Sequence, residues 1–333
     1  MTGTPKLRAG LIGLGAMGRN HARVLQIVDG VELVGVAEPN GDANNVLRGI
    51  PVFATVADLI GVGLDYAVVC CPTGLHEEVG LQLAEAGVPA LIEKPLAPSV
   101  DASRRLVDAF ESAGLVAGVG HIERYNPALQ QARSRLEAGE LGEVYQVQTR
   151  RQGPFPARIA DVGVVKDLGT HDIDLTAWVT QQEYTSVAAR TAYKSGREHE
   201  DLVAVVGQLA NGTVTSHLVN WLSPLKERVT IITGERGAFV ADTLTADLTF
   251  FANGEVRHTW DDIANFRGVS EGDVVRYAIA KPEPLRVEHE NFRDAVLGKD
   301  ADIVTMHQGL TTVRVAEACI ESATTGQTVT LGR

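Results

Sequence analysis

Leu7-Arg8-Ala9-Gly10-Leu11-Ile12-Gly13-Leu14-Gly15-Ala16-Met17-Gly18 is the stretch on which the fold turns. Leu7–Ile12 is a short, mostly apolar run that breaks at glycines, the pattern of a strand buried on both faces. Gly13, Gly15 and Gly18 then stand at G-x-G-x-x-G spacing, and the residues from His21 to Val28 follow a helical pattern. Strand, glycine turn and helix together are the context that makes this spacing informative. Gly13 permits a tight turn, Gly15 lets the backbone approach a pyrophosphate, and Gly18 allows close packing of helix on strand. The helix start offers N–H donors and positive potential to phosphates. Gly13, Gly15, Ala16, Met17 and Gly18 are therefore expected to hold a dinucleotide.

Working outward, Val31–Ala37 reads as a second strand, and Glu38 follows it twenty residues after Gly18. A carboxylate there can accept both ribose hydroxyls of an adenosine and repels a 2′-phosphate. No Lys or Arg lies between Pro39 and Leu47 to neutralise such a phosphate, so NAD is favoured over NADP. Thr55–Ile60 reads as a short helix, Tyr66–Cys70 as a strand, Leu75–Ala86 as a helix and Ala90–Ile92 as a strand. Val100–Ala113 is a helix and Leu115–Val119 a strand. This alternation with short connections predicts a parallel sheet covered on both faces, an α/β Rossmann domain. Pro72, Thr73 and His76 follow a strand at the carboxyl edge, where ligands bind in such sheets. Thr73 is expected at the nicotinamide ribose; His76 is either a ligand or an ordinary helix-start residue.

Beyond residue 122 the texture changes. A helix over Pro127–Glu137 precedes strands at Val144–Arg150, Thr185–Tyr193, Leu202–Leu209, Thr213–Val219, Arg228–Thr233 and Leu248–Phe251. Asn211-Gly212 is a strong hairpin signal. The expectation is an α+β domain over 123–333 with a large, mostly antiparallel sheet, following a Rossmann domain over 1–122. Helices at Glu288–Leu297 and Gln308–Ser322 end the pattern, and the second is placed to pack back on the first domain. A one-sided sheet of this size leaves a face suited to subunit contact, so a homo-oligomer, dimer or tetramer, is expected.

A chain of 333 residues suits two domains. Its net charge of −12 makes nucleic acid a poor partner. No apolar run is long enough for a membrane span. Three cysteines without framework spacing, Cys70, Cys71 and Cys319, argue for free thiols in a reducing compartment. With no export signal pattern at the N-terminus, a cytoplasmic protein is expected. His199, His217 and His258 form no metal-ligand spacing, and no metal is expected.

Glu93-Lys94-Pro95 ends the fifth strand at the same sheet edge, where Glu93 and Lys94 are expected beside the cofactor. Further on comes Asp167-Leu168-Gly169-Thr170-His171; four residues apart on a helix, Asp167 and His171 share a face. Oxidising an alcohol requires a base for the hydroxyl proton, and histidine titrates in the right range. A nearby ammonium group can bond the same oxygen, and a carboxylate can bind a neighbouring hydroxyl or orient the imidazole. Any one of these residues alone reads as surface or capping.

Taken together, G-x-G-x-x-G, Glu93-Lys94-Pro95 and Asp167-x-x-x-His171 resemble the Gfo/Idh/MocA oxidoreductase family over essentially the whole chain. The resemblance implies that Lys94 and His171 line the active site, with His171 as proton acceptor and Asp167 as a substrate contact. Two further stretches, Gly120–Pro127 and Arg150–Gly163, look like the UDP-N-acetylglucosamine 3-dehydrogenase group of that family. On that reading Arg124, Asn126, Arg158 and Asp167 are candidate substrate contacts. Arginine suits a diphosphate because its planar fork can bond two oxygens. Arg150 and Arg151 point to opposite faces of a strand, so at least one makes only surface ion pairs. Asn126 is also placed to cap the helix that begins at Pro127. The expected activity is NAD-dependent oxidation of a sugar hydroxyl, at C3 of UDP-N-acetylglucosamine. The alternatives are an inositol or free-sugar dehydrogenase and a non-catalytic NAD-dependent sugar sensor, which would have lost the chemical residues.

Overall fold

The computed structural model describes residues 6–43, 45–47, 49–156, 162–254 and 270–332. The chain divides into two compact units, one of residues 1–122 with 283–317 and one of 123–282 with 318–333.

The first unit is built on a six-stranded sheet of β1 (Leu7–Ile12), β2 (Val31–Ala37), β3 (Val52–Phe53), β4 (Tyr66–Val69), β5 (Ala90–Glu93) and β6 (Ala117–Gly120). Its order is β3-β2-β1-β4-β5-β6, and every pairing is parallel. The order reverses between β1 and β4, the crevice where dinucleotides bind in doubly wound sheets. Successive residues of each strand feed opposite cores. Leu11, Val36, Tyr66, Val68 and Leu91 join one apolar cluster; Ile12, Ala37, Ala67, Val69 and Ile92 join the other. Helix α1 (Ala16–Leu25) supplies Ala22 and Leu25 to the first cluster. Helices α3 (His76–Glu85) and α4 (Val100–Ser112) supply Leu83 and Leu106 to the second. The short α2 (Val56–Ile60) is capped by Thr55, which accepts from the Asp58 N–H, and α4 by Ser99, which accepts from Ala102.

Residues 283–317 group with the first unit, in keeping with the expectation that the last helix packs back on it. Two C-terminal helices, α7 (Pro284–Val296) and α8 (Met306–Thr325), complete the first unit's cores. Leu285 and Phe292 enter one cluster, Met306 and Val313 the other. Apolar stripes on these helices match faces of the parallel sheet that the first 122 residues leave partly uncovered, and sequence proximity does not report that match.

The second unit carries α5 (Pro127–Glu137), α6 (Thr170–Thr180) and nine strands among the described residues. These are β7 (Val144–Pro154), β8 (Tyr184–Ala192), β9 (Leu202–Leu209), β10 (Val214–Asn220), β11 (Leu222–Gly234), β12 (Gly237–Asp242), β13 (Asp247–Gly254), β14 (Ser270–Arg276) and β15 (Val329–Thr330). Their order is β14-β13-β12-β11-β7-β10-β9-β8-β15. Only β7 and β10 run parallel in this sheet; the other pairings are antiparallel. Leu129, Ala132, Leu175 and Trp178 of the helices pack on Val147, Ile232 and Phe239 of one sheet face. Along β9 buried and exposed residues alternate, the mark of a sheet with one covered face. Among the described residues no helix is long and apolar enough to cross a membrane.

Candidate active site

At the start of α1 the three glycines do different jobs. Gly13 has φ +91°, and a Cβ on it would lie 2.7 Å from the Cys71 nitrogen. A Cβ on Gly18 would lie 2.1 Å from the Gly13 carbonyl oxygen, so the turn and the helix meet backbone to backbone. A Cβ on Gly15 would meet nothing within 4 Å, which leaves open space at the helix tip. No side chain caps that tip, and no acidic residue stands in the first turn of Ala16, Met17 and Gly18. Donors and positive potential are thus kept for an anion, and a pyrophosphate fits. Glu38, half-buried at the end of β2, accepts from the Leu14 N–H at 2.9 Å and the Asn40 N–H at 3.1 Å. Asn40 Nδ2 donates a third bond at 3.2 Å, and a carboxylate still has a lone pair left for a ribose hydroxyl. Pro72 and Thr73 open a short 3₁₀ turn, Thr73–Leu75, directly after β4 and so beside the switch point.

Glu93 ends β5 with only 7% of its surface exposed. His21 Nε2 donates to its Oε1 at 2.8 Å, and the Lys94 N–H donates to its Oε2 at 3.0 Å. Burial pushes this carboxyl up, but the His21 hydrogen bond and the positive charges of His21 and Lys94 outweigh it and hold it below its ordinary value. The Glu93 carboxylate thus spends one oxygen on His21 of α1 and the other on the loop that carries Lys94. His76 stands at the start of α3. Its ring is buried, with Nδ1 3.0 Å from the Pro95 carbonyl oxygen and Nε2 3.0 Å from that of Cys71.

In the second unit Asp167 lies in a π-helical turn, Val165–Gly169, that runs straight into α6. The regular α-helical spacing assumed for Asp167 and His171 does not hold across it, because i→i+5 bonding widens the turn. Such turns concentrate at functional sites. Glu200 anchors its start, Oε1 accepting from the Val165 N–H at 3.0 Å. Two buried aspartates flank His171 on its C-terminal side. Asp172 accepts from Arg151 Nε at 2.6 Å and from Thr149 Oγ1 at 3.0 Å. Asp174 accepts two bonds from Arg124, 2.8 Å from Nε and 2.6 Å from Nη2. Arg151 also donates to Glu123 at 2.8 Å. Burial works against the Arg151 charge, but Asp172 and Glu123 outweigh it and raise its pKa.

These pairs revise the substrate contacts. The Arg124 guanidinium is buried on Asp174 and anchors α6. Asn126 spends both ends of its amide on the fold: Oδ1 caps α5 at Ala128, and Nδ2 donates to the Thr243 carbonyl. Arg158 lies outside the described residues. Arg150 is exposed and paired with Glu227, while Arg151, on the opposite face, is buried. Arg228 was not anticipated. It sits directly across β11–β7 from Arg151, half-buried, within the fields of Glu123, Asp172 and Asp167. A two-residue alternation counted from Arg151 across the hairpin-rich sheet could not have located it without the register. Among the described residues no three His, Cys, Asp or Glu side chains converge as a metal site. The recess lined by Asp247, Arg276, Tyr277 and Lys281 contains none of the motif residues, and both its cations pair with Asp247.

The chain matches the family models of an oxidoreductase family, the NAD-binding Rossmann fold over residues 7–121 and the C-terminal alpha/beta domain over 133–331. It belongs to the Gfo/Idh/MocA family. It is 32% identical over 193 residues to scyllo-inositol 2-dehydrogenase (NAD(+)) of Bacillus subtilis, a match spanning 55% of this chain and 56% of that protein. It is 30% identical over 295 residues to UDP-N-acetylglucosamine 3-dehydrogenase of Acidithiobacillus ferrooxidans, spanning 87% of this chain and 88% of that one. The solved structure of that dehydrogenase, GnnA, superposes with a TM-score of 0.82 at 25% identity, covering 97% of this chain and 100% of GnnA.

Two measurements test this geometry. Gly18→Ala forces a backbone contact apart and is expected to cost about 1–3 kcal/mol in urea unfolding and to weaken NADH binding in fluorescence titration. Buried His217, bonded to Thr149 and Tyr184, is pushed down by burial from 6.5 to about 4. The unfolded chain takes up this proton first, so the stability is complete above about pH 6.5 and falls between 6.5 and 4, by up to roughly 1.4 kcal/mol per pH unit. His217→Gln is expected to flatten that part of the stability–pH curve relative to the parent.

Proposed function

We propose that this protein is an NAD-dependent dehydrogenase that oxidises a secondary hydroxyl of a sugar, and that its substrate is UDP-N-acetylglucosamine, oxidised at C3. The observation that carries the reading is the 30% identity to the Acidithiobacillus enzyme of that specificity over 87% of the chain. Retention of Lys94, Asp167 and His171 supports it and argues against a non-catalytic sensor. NAD⁺ bound along Gly13–Gly18 and Glu38 supplies the hydride acceptor. His171 takes the hydroxyl proton, Lys94 donates a hydrogen bond to the same oxygen, and Asp167 accepts from a neighbouring hydroxyl. The carbon loses a hydride as the oxygen loses its proton, which leaves a ketone. Arg158 is proposed as a diphosphate contact.

The second reading, an inositol dehydrogenase, draws on the 32% identity to the Bacillus enzyme. Stoichiometric enzyme incubated with UDP-N-acetylglucosamine and NAD⁺ separates them by mass spectrometry of the sugar. A product lighter by one H₂ is expected, and Lys94→Ala and His171→Ala are each expected to lower kcat by about 10²–10⁴. Turnover of myo-inositol but not of the nucleotide sugar would move the assignment to the second reading.

The protein is further proposed to act as a homo-oligomer. Val206, Val214 and Leu218 stand exposed on the sheet face opposite the helices, at 55%, 44% and 38% of their surface. Apolar side chains clustered this way favour a second copy as the cover. Light scattering is expected to give a dimer or tetramer, and Val206→Arg with Leu218→Arg to lower the mass; a parent that runs as a monomer at tens of micromolar would refute it. The three cysteines are free thiols. Burial pushes Cys71 and Cys319 up to about 12, so neither is a nucleophile, and a reducing cytoplasm is the compartment we assign.

A further inference from the structure

Lys94 is the residue on which the proposed chemistry leans, and its backbone N–H is bonded to the Glu93 side chain. The groups packed around its loop hold it from both sides. On the N-terminal side, Glu93 takes one hydrogen bond from the Lys94 N–H and one from His21 on α1. His21 is completely buried, and its other ring nitrogen lies 2.8 Å from Nε2 of His289 on α7, edge to face. Because Glu93 only accepts, His21 Nε2 donates to it, and His21 Nδ1 shares a proton with His289 Nε2. A continuous chain results, from His289 through His21 to Glu93, with the Lys94 backbone closing on the second carboxylate oxygen. On the C-terminal side, His76 at the start of α3 stands 3.0 Å from the Pro95 carbonyl and from the Cys71 carbonyl after β4. Being buried, it is neutral and donates to one of them at a time.

We propose that His21 and His76 are positioning residues for Lys94, clamping the residues before and after it so that its ammonium group is presented in one place. The inference rests on the reading that Lys94 bonds the substrate hydroxyl. The other titratable groups facing the clamp fit it. Burial holds His289 neutral, and burial with the Glu93 charge keeps Glu288 protonated and Cys70 a thiol. Glu93 is thereby the lone anion of the cluster, and its hydrogen bonds are the ones that fix the loop. Both Glu288 oxygens are buried without a hydrogen-bond partner among the described residues, so that carboxyl does not compete with Glu93 for His21.

The test is a double-mutant cycle on the full chain with UDP-N-acetylglucosamine and NAD⁺, reading kcat and the NADH dissociation constant separately. His21→Ala and His76→Ala are each expected to lower kcat by about 10²-fold, the effect of an ångström-scale misplacement, while NADH affinity stays within about twofold. In a Lys94→Ala background neither is expected to lower kcat further, because both act through Lys94. His21→Gln and His76→Gln keep an N–H donor and are expected to recover most of the loss. Effects that add in the Lys94→Ala background, or that fall equally on NADH binding, would overturn the clamp. Lys94→Ala with unchanged turnover would instead overturn the proposed chemistry. A second readout works without turnover: protein reductively methylated with ¹³C-formaldehyde, bound to NADH, gives a Lys94 methyl resonance identified by its absence in Lys94→Arg. One sharp signal is expected in the parent and a shifted or split one in His21→Ala and His76→Ala; an identical signal in all three would overturn the clamp.

Discussion

An ionised carboxylate cannot sit alone in a protein interior, and both units are organised locally around that constraint. In the first, Glu93 is buried immediately before Lys94 and is bonded by His21. In the second, Asp172 is buried immediately after His171 and is bonded by Arg151, with Asp174 held by Arg124 three residues beyond His171. Lys94 and His171 therefore each neighbour a carboxylate whose position is dictated by desolvation. Removing one partner of such a buried pair costs about 3–5 kcal/mol, because the other charge is left uncompensated. Exposed pairs such as Arg133–Glu137 and Arg286–Glu290 contribute about 0–1 kcal/mol and position nothing.

Buried charge also accounts for two arginines in the stretches that suggest ligands. Arg124 and Arg151 stand in stretches that resemble a nucleotide-sugar enzyme, but their guanidinium groups are spent on aspartates of α6. A planar fork suits an internal carboxylate as well as a diphosphate, so residue type cannot separate the two uses. What separates them is whether a carboxylate is already in place. At Arg228 no carboxylate accepts a direct side-chain bond among the described residues, and the cation is left half-buried in the fields of Glu123, Asp172 and Asp167.

Much of the architecture was legible before any coordinates. Leu7–Ile12, Val31–Ala37, Pro127–Glu137 and Leu202–Leu209 lie where apolar spacing put them, because long or strongly patterned segments declare their period. The strands that periodicity missed are β3 and β15, of two residues each, and β12 and β14. Segments that short carry no readable alternation, and β12 opens on a glycine and ends on an aspartate. The π turn at Val165–Gly169 was equally hidden, since no side chain in it signals an extra residue in the helical ladder.

By itself the sequence determined the parallel sheet and the glycine turn for a dinucleotide. Each of these follows from residue type and from spacing along one stretch of chain. Only the tertiary structure decided that α7 completes the first unit, that His21 and His289 stand in line behind Glu93, that His76 braces Pro95, and that Arg124 serves Asp174. Those outcomes join residues up to 268 positions apart. They depend on which polar groups lose water together, and burial is a property of the packed chain that no local pattern contains.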